Sequence, residues 1–67
     1  MEFKDVVSSN VKRIGYENKK LYVQFKSGAT YFYKDVPATV YEEMLNADSK
    51  GKYLNSQIKG KYEYQKI

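Results

Sequence analysis

Three tyrosines near the middle of the chain carry the side chains best suited to hold a flat ligand. Tyr22 lies in one apolar stretch, and Tyr31 and Tyr33 lie two residues apart in the next. Aromatic planes of this kind can stack on unpaired bases, and a neighbouring arginine such as Arg13 can contact a phosphate. The pattern predicts a binding surface for a phosphate-bearing nucleotide or single-stranded RNA.

The same tyrosines have other interpretations. Tyrosine is a strand former with an apolar ring, so a C-terminal strand could cover these rings as ordinary sheet packing. Aromatic residues are also enriched in protein interfaces, so the surface could be the seam of a homodimer that serves protein interaction. A dimer that sequesters small nucleotide signals between its subunits would combine the two functions.

A second candidate site is the segment Ser49-Lys50-Gly51-Lys52. The free N–H groups and positive dipole of a helix N-terminus, a glycine that lets an anion approach, and two lysines together suit a phosphate. The Walker A motif is absent, because both its flanking strand and its glycine-to-lysine spacing are missing. A capping serine followed by solvated lysines is the competing interpretation.

The amino-acid inventory excludes most catalytic chemistry. The chain has 67 residues and contains neither cysteine nor histidine, which excludes thiol nucleophiles, histidine acid–base catalysis and Cys/His metal sites. No base is available to activate Ser8 or Ser9, and the adjacent Glu42 and Glu43 fall on the polar face of a predicted helix. We therefore predict one domain over residues 1–67 that is not an enzyme and holds no metal or cofactor.

The distribution of charge favours an anionic partner. The net charge is +4; residues 1–49 hold seven basic and seven acidic side chains, whereas residues 50–67 hold five lysines against Glu63 alone. This bias attracts anions over long range, although a solvated lysine face would have the same composition. The sequence contains no signal-peptide core and no apolar run of about 20 residues, which predicts a cytoplasmic protein without a membrane-spanning segment.

Alternating apolar and polar residues around two turns predict a three-stranded antiparallel meander. Residues 1–10 are expected to be a lead-in without a site. The first turn, Asn18-Lys19, joins residues 11–17 to residues 20–26, since asparagine enters the left-handed region at modest cost. The register that follows from this turn places Arg13 on the same side of the sheet as the tyrosines.

The second turn decides which face of the sheet carries the tyrosines. If Ser27 and Gly28 form a two-residue loop, Tyr22 lies opposite Tyr33, because the turn fixes the antiparallel partners. One face is then apolar and is expected to pack against a helix. It holds Ile14, Tyr16, Leu21, Val23, Phe25 and Phe32. The opposite face, the predicted tyrosine face, holds Arg13, Tyr22, Gln24, Tyr31 and Tyr33.

The remaining residues predict two short helices and a last strand, which makes the fold class α+β. Val36-Pro37 ends the meander, because proline cannot donate to a ladder but fits the first turn of a helix. Apolar residues recur at helical spacing from Val40 onward. Ser49 is a suitable N-cap for a second helix that ends at Gly60, and the alternation in Tyr62-Glu63-Tyr64 predicts a further strand.

A set of short motifs resembles the KTSC domain family, named for its place at the C-terminus of some lysyl-tRNA synthetases. The resemblance runs from about residue 7 to residue 64, with its motifs in order and at short spacing. They are Ser9, Ile14-Gly15-Tyr16, Leu21-Tyr22-Val23-Gln24-Phe25, Gly28, Tyr31-Phe32-Tyr33, Val36-Pro37, Val40-Tyr41 and Ala47-Asp48-Ser49-Lys50-Gly51-Lys52-Tyr53. The family also occurs as free-standing short bacterial and phage proteins. The resemblance implies RNA binding, in the cytoplasm of a bacterium or of a phage host.

Overall fold

An antiparallel sheet of five strands, arranged in the order of the sequence, forms the frame of the protein. The computed structural model describes residues 2–67. The strands are β1 (Phe3–Asp5), β2 (Val11–Glu17), β3 (Lys20–Phe25), β4 (Thr30–Tyr33) and β5 (Tyr64–Lys66). Strands β2 to β4 are the predicted meander, so the α+β class is confirmed. The predicted last strand is present as β5, although it begins at Tyr64 and not at Tyr62.

Strand β1 replaces part of the expected lead-in. It pairs with β2 and places Phe3 opposite Gly15 and Asp5 opposite Arg13. Three residues with one apolar side chain give no alternation that a strand prediction can use. The pairing partner on β2, rather than local propensity, therefore makes this segment a strand.

Two helical segments follow the meander, as predicted. Helix α1 (Ala38–Asn46) begins directly after Pro37, and α2 (Lys50–Tyr53) begins after the N-cap Ser49. Helix α2 continues into a π-helical turn, Leu54–Ile58, and Gly60 then ends the segment with φ of 84°. None of the helices within residues 2–67 is long and apolar enough to cross a membrane.

The helices pack on one face of the sheet, called here the helical face, and the core lies between the two layers. Apolar side chains from the strands meet Met44 of α1 and the π-helical turn in this core. Burial of each large side chain contributes about 1.5–3 kcal/mol of folding free energy. The buried residues are Val11, Ile14, Leu21, Val23, Tyr33, Val36, Met44, Leu54 and Ile58.

The register between β2 and β3 is the predicted one. Asn18 and Lys19 have φ of 53° and 62°, which are the two positive angles that a two-residue turn with the twist of the strands requires. Arg13 consequently lies opposite Gln24 and Ile14 opposite Val23. The prediction succeeds because the turn and the apolar pattern specify the same alignment.

The predicted register between β3 and β4 is wrong by one residue. The loop contains three residues, with Phe25 N donating to Ala29 O at 2.8 Å and Gly28 N donating to Phe25 O at 2.9 Å. Leu21 therefore lies opposite Tyr33, and Tyr22 lies opposite Phe32.

A slip of one residue moves every side chain of β4 to the other face. Tyr31 and Tyr33 lie on the helical face with Leu21 and Val23. Phe32 lies instead on the opposite surface, called here the open face, together with Tyr22. The predicted tyrosine face consequently does not exist as one surface.

Candidate functional site

Three aromatic rings from separate strands form a row on the open face. Phe3 of β1, Tyr22 of β3 and Phe32 of β4 make up this aromatic row. The ring centroids of Phe3 and Tyr22 are 6.3 Å apart, and those of Tyr22 and Phe32 are 5.6 Å apart. The rings are half-buried, so each has surface left for a ligand.

Gly15 explains how Phe3 reaches a ring two strands away. Gly15 lies on β2 between the two, paired with Phe3 on one side and Tyr22 on the other. A Cβ atom on Gly15 would lie 3.0 Å from Cδ1 of Phe3, closer than ordinary packing allows. The missing side chain lets the Phe3 ring lie across β2.

A cation lies at each end of the aromatic row. The guanidinium carbon of Arg13 is 4.7 Å from the centroid of Phe3, and Nζ of Lys20 is 5.4 Å from that of Phe32. Both distances are within the range of a cation–π interaction. Arg13 Nε also donates a hydrogen bond to Gln24 Oε1, which fixes the guanidinium beside the rings.

The charges of the open face are balanced. Asp5 lies opposite Arg13, and Glu17 lies opposite Lys20. The alternation along β1 and β2 puts both carboxylates on the same face as the two cations. Ring stacking, rather than long-range attraction, is therefore the main interaction that this face can offer.

The tyrosines of β4 line a pocket at the other side of the sheet. Its volume is about 460 Å³, and we call it the tyrosine pocket. It lies on the helical face, between the β3–β4 loop and the segment that follows the π-helical turn. Its lining residues are Phe25, Ser27, Ala29, Tyr31, Tyr33, Lys59, Gly60 and Tyr64.

Aromatic rings form most of the wall of the tyrosine pocket and contact one another. The centroid of Tyr31 is 5.8 Å from that of Phe25 and 5.8 Å from that of Tyr64. Tyr33 lies 5.8 Å from Tyr64 and is only 2% exposed. Burial, and then the neighbouring Tyr64 and Tyr31 hydroxyls, raise the pKa of Tyr33 above its ordinary value.

The segment Ser49-Lys50-Gly51-Lys52 is occupied by contacts within the protein. Ser49 Oγ accepts a hydrogen bond from Lys52 N at 3.3 Å, and Lys50 Nζ donates to Ala47 O at 2.8 Å. Gly51 is buried against Asn10, whose Oδ1 would lie 2.8 Å from an added Cβ. Helix capping and close packing thus account for the serine and the glycine.

The structure divides the predicted site residues between three places. Arg13 and Tyr22 meet on the open face, whereas Tyr31 and Tyr33 meet in the tyrosine pocket. Residues 49–52 form the start of α2. The residues that sequence reasoning missed are Phe3, Lys20 and Phe32 on the open face and Phe25, Lys59 and Tyr64 at the tyrosine pocket. The sequence alone does not indicate that Gly15 pairs with the Phe3 ring.

Comparison with known proteins identifies the relatives of this chain. The family model described as the KTSC domain matches residues 7–62. The crystal structure of a KTSC domain protein from Yersinia pestis superimposes with a TM-score of 0.92 at 38% identity, covering 98% of this chain and 96% of that one.

Similar sequences occur both within longer proteins and as short ones. A lysine–tRNA ligase from Trichormus variabilis is 44% identical over 61 residues, which cover 88% of this chain and 11% of the ligase. The chain therefore spans about a tenth of the length of that relative. An uncharacterized protein from Stutzerimonas stutzeri is 41% identical, with 90% of this chain and 89% of that protein covered.

Proposed function

The chain belongs to the KTSC domain family, and we propose that it is a non-catalytic module that binds single-stranded RNA on the open face. The observation that carries this proposal is the aromatic row with a cation at each end. Successive unpaired bases stack on Phe3, Tyr22 and Phe32. Arg13 and Lys20 contact the phosphates that flank them.

The chemistry of the open face supports RNA as the ligand. Sheets that bind single-stranded RNA use aromatic side chains as stacking platforms, and each stacked base contributes about 1–3 kcal/mol. The rings are spaced at 5.6 and 6.3 Å along the row, so each can serve a different base. Gln24 Oε1 already accepts from Arg13, which orients the guanidinium before RNA binds.

The names of the relatives agree with this proposal. Relatives named lysine–tRNA ligase carry a similar segment as 11% of their length, and tRNA has unpaired bases in its loops. RNA binding requires no catalytic group, which is compatible with a chain that has neither cysteine nor histidine. We place it in the cytoplasm, where such RNA is found.

The test is a titration of short single-stranded RNA against matched tyrosine variants. Tyr22→Ala removes the central ring of the row and should weaken binding by about 1–3 kcal/mol. Tyr64→Ala removes an exposed tyrosine from the helical face and should leave RNA affinity unchanged. Both variants are checked for native folding by circular dichroism before the comparison.

Two results would contradict the proposal. Equal RNA affinity of the Tyr22→Ala variant and the unchanged protein would show that the aromatic row does not bind bases. A dimer in sedimentation equilibrium that dissociates on Tyr22→Ala, with no RNA binding at low salt, would assign the open face to a homodimer seam.

A further inference from the structure

We propose that the tyrosine pocket is a second binding site, which takes a small molecule made of a flat ring and an anionic group. Its volume of about 460 Å³ falls within the range of about 300–1,000 Å³ that is typical of ligand pockets. It lies on the helical face, so its ligand does not compete with RNA on the open face. The two sites are therefore separable by experiment.

The walls of the tyrosine pocket favour a flat ring. Tyr31 and Tyr64 lie on adjacent strands, with ring planes inclined at 60°. Phe25 closes the same side, with its ring nearly perpendicular to that of Tyr31 at 80°. Tyr64 is 63% exposed, which leaves a large part of its ring free to stack on a ligand.

Lys59 supplies the charge that selects an anion. Its Nζ lies 6.0 Å from the centroid of Phe25. Within residues 2–67 it contacts no carboxylate, so its charge is available to a ligand. Lys66 lies opposite Tyr31 on β5 and adds a second positive charge near this edge. Two of the five lysines of the C-terminal part, Lys59 and Lys66, thus lie on the helical face at or near the pocket.

The π-helical turn positions Lys59 at the pocket. Lys59 N donates to Leu54 O at 2.8 Å, a bond that spans five residues and closes the turn. Such turns insert one residue more than an α-helix and often occur at functional sites. The backbone of Gly60 follows with φ of 84° and with nothing within 4 Å of an added Cβ, so space remains open beside Lys59.

The experiment compares four small molecules by NMR titration. Adenosine monophosphate and indole acetate each combine a ring with an anion, whereas adenosine has only the ring and inorganic phosphate only the anion. The amides of Ala29 and Gly60 report on the pocket, and that of Gly15 reports on the open face. We expect a combined ligand to shift Ala29 and Gly60, with adenosine and phosphate each binding at least tenfold more weakly.

Adenosine monophosphate and indole acetate distinguish the two classes of molecule that combine a ring with an anion. Binding of the monophosphate alone identifies a nucleotide, and binding of the carboxylate alone identifies an aromatic acid. Either result supports the proposal, as does binding of both. Shifts confined to Gly15, or no saturable binding of either combined ligand at millimolar concentration, would overturn it.

Two variants test the contacts, each with a matched control. Lys59→Gln should lower the affinity for the ligand that combines a ring with an anion about tenfold, the loss expected for one hydrogen bond to a charged group. Lys52→Gln should leave that affinity unchanged. Tyr64→Ala should weaken it about fivefold, whereas Tyr22→Ala should not. Unchanged affinity in Lys59→Gln would contradict the proposal, and a dimer that Tyr64→Ala dissociates would show that a second copy fills the pocket.

Discussion

Gly15 is the residue on which the geometry of the open face most depends. It is buried beneath the Phe3 ring, whose Cδ1 and Cε1 would lie 3.0 and 3.2 Å from an added Cβ. The carbonyl oxygen of Glu2 would lie 3.3 Å away, so the backbone next to β1 is close as well. A side chain at this position must therefore displace the Phe3 ring.

We expect Gly15→Ala to weaken RNA binding by at most about 1 kcal/mol, the lower limit for a lost stacking ring. The Phe3 ring has to move by a few tenths of an ångström away from its place beside Tyr22. Nuclear Overhauser contacts between the two rings should weaken in parallel. The matched control is Phe3→Ala: in that background Gly15→Ala should change affinity no further, and an additive effect would refute the mechanism.

Tyr53 is the tyrosine whose titration is most strongly coupled to the fold. Its hydroxyl donates to Glu43 Oε1 at 2.7 Å, which ties α2 to α1. Burial, then this hydrogen bond and the negative charge of Glu43, raise the pKa of Tyr53 to about 12. The ordinary value is about 10, so the folded protein retains this proton more strongly than the unfolded chain.

The sign of the resulting pH dependence follows from linkage. The stability that the Tyr53 proton contributes is complete below about pH 10 and is lost as the pH rises towards about 12. Glu43→Gln should lower the pKa of Tyr53 without restoring its ordinary value, because burial remains. An NMR titration of ring-labelled tyrosine measures the pKa of Tyr53 in the unchanged protein and in the Glu43→Gln variant. An unchanged pKa in Glu43→Gln would show that burial alone causes the shift.

The β3–β4 loop shows where sequence reasoning fails at the scale of one element. Gly28 has φ of 101°, as a tight turn predicts, but a left-handed glycine fits both a two-residue and a three-residue loop. Tyr31, Phe32 and Tyr33 do not distinguish the alternatives, because large apolar rings occupy both faces of β4. The β2–β3 turn has no such ambiguity, and its register was predictable.

Gly28 also allows the loop to be tested directly. An alanine there meets no atom within 4 Å, so its cost comes from backbone conformation alone. We expect Gly28→Ala to lower the free energy of unfolding by about 1–2 kcal/mol, the penalty for a left-handed L-residue. Urea denaturation measures this value.

Asparagine provides the control, because it tolerates the left-handed region better than alanine. Gly28→Asn should therefore cost less than Gly28→Ala. Equal costs for the two variants would mean that the loop relaxes to another conformation and that its positive φ is not required.

The elements differ in how far the sequence determines them. Helices α1 and α2 were predictable because Pro37 and Ser49 mark their starts and an apolar stripe follows. Strand β1 was not predictable, because its one apolar residue, Phe3, indicates a strand only when its pairing with Gly15 is known. The tyrosine pocket also depends on pairing: Tyr64 meets Tyr31 and Tyr33 only through the β4–β5 ladder.

On the scale of the whole molecule, the sheet separates two kinds of chemistry. The open face has a balanced charge and three neighbouring rings, whereas the helical face carries the tyrosine pocket with Lys59 at its rim. The net charge of +4 arises in the C-terminal part of the chain and so does not lie on the proposed RNA surface. Total charge is consequently a poor guide to the RNA binding that we propose for the open face.

The salt dependence of RNA binding tests this division. Arg13 and Lys20 can neutralise two phosphates, and single strands contribute a slope of about −0.7 per phosphate in log affinity against log salt. We therefore expect a shallow slope of about −1.4, which Lys20→Gln should reduce to about −0.7. Binding titrations over a series of salt concentrations measure these slopes.

The matched control replaces two lysines of α2 that lie outside the open face. The double variant Lys50→Gln, Lys52→Gln removes more charge than Lys20→Gln and should nevertheless leave the slope unchanged, because only cations that contact phosphates release counterions. A slope steeper than about −3 that flattens in this double variant, with no effect of Lys20→Gln, would place the RNA along the basic C-terminal segment. The aromatic row would then be a structural cluster that covers the open face.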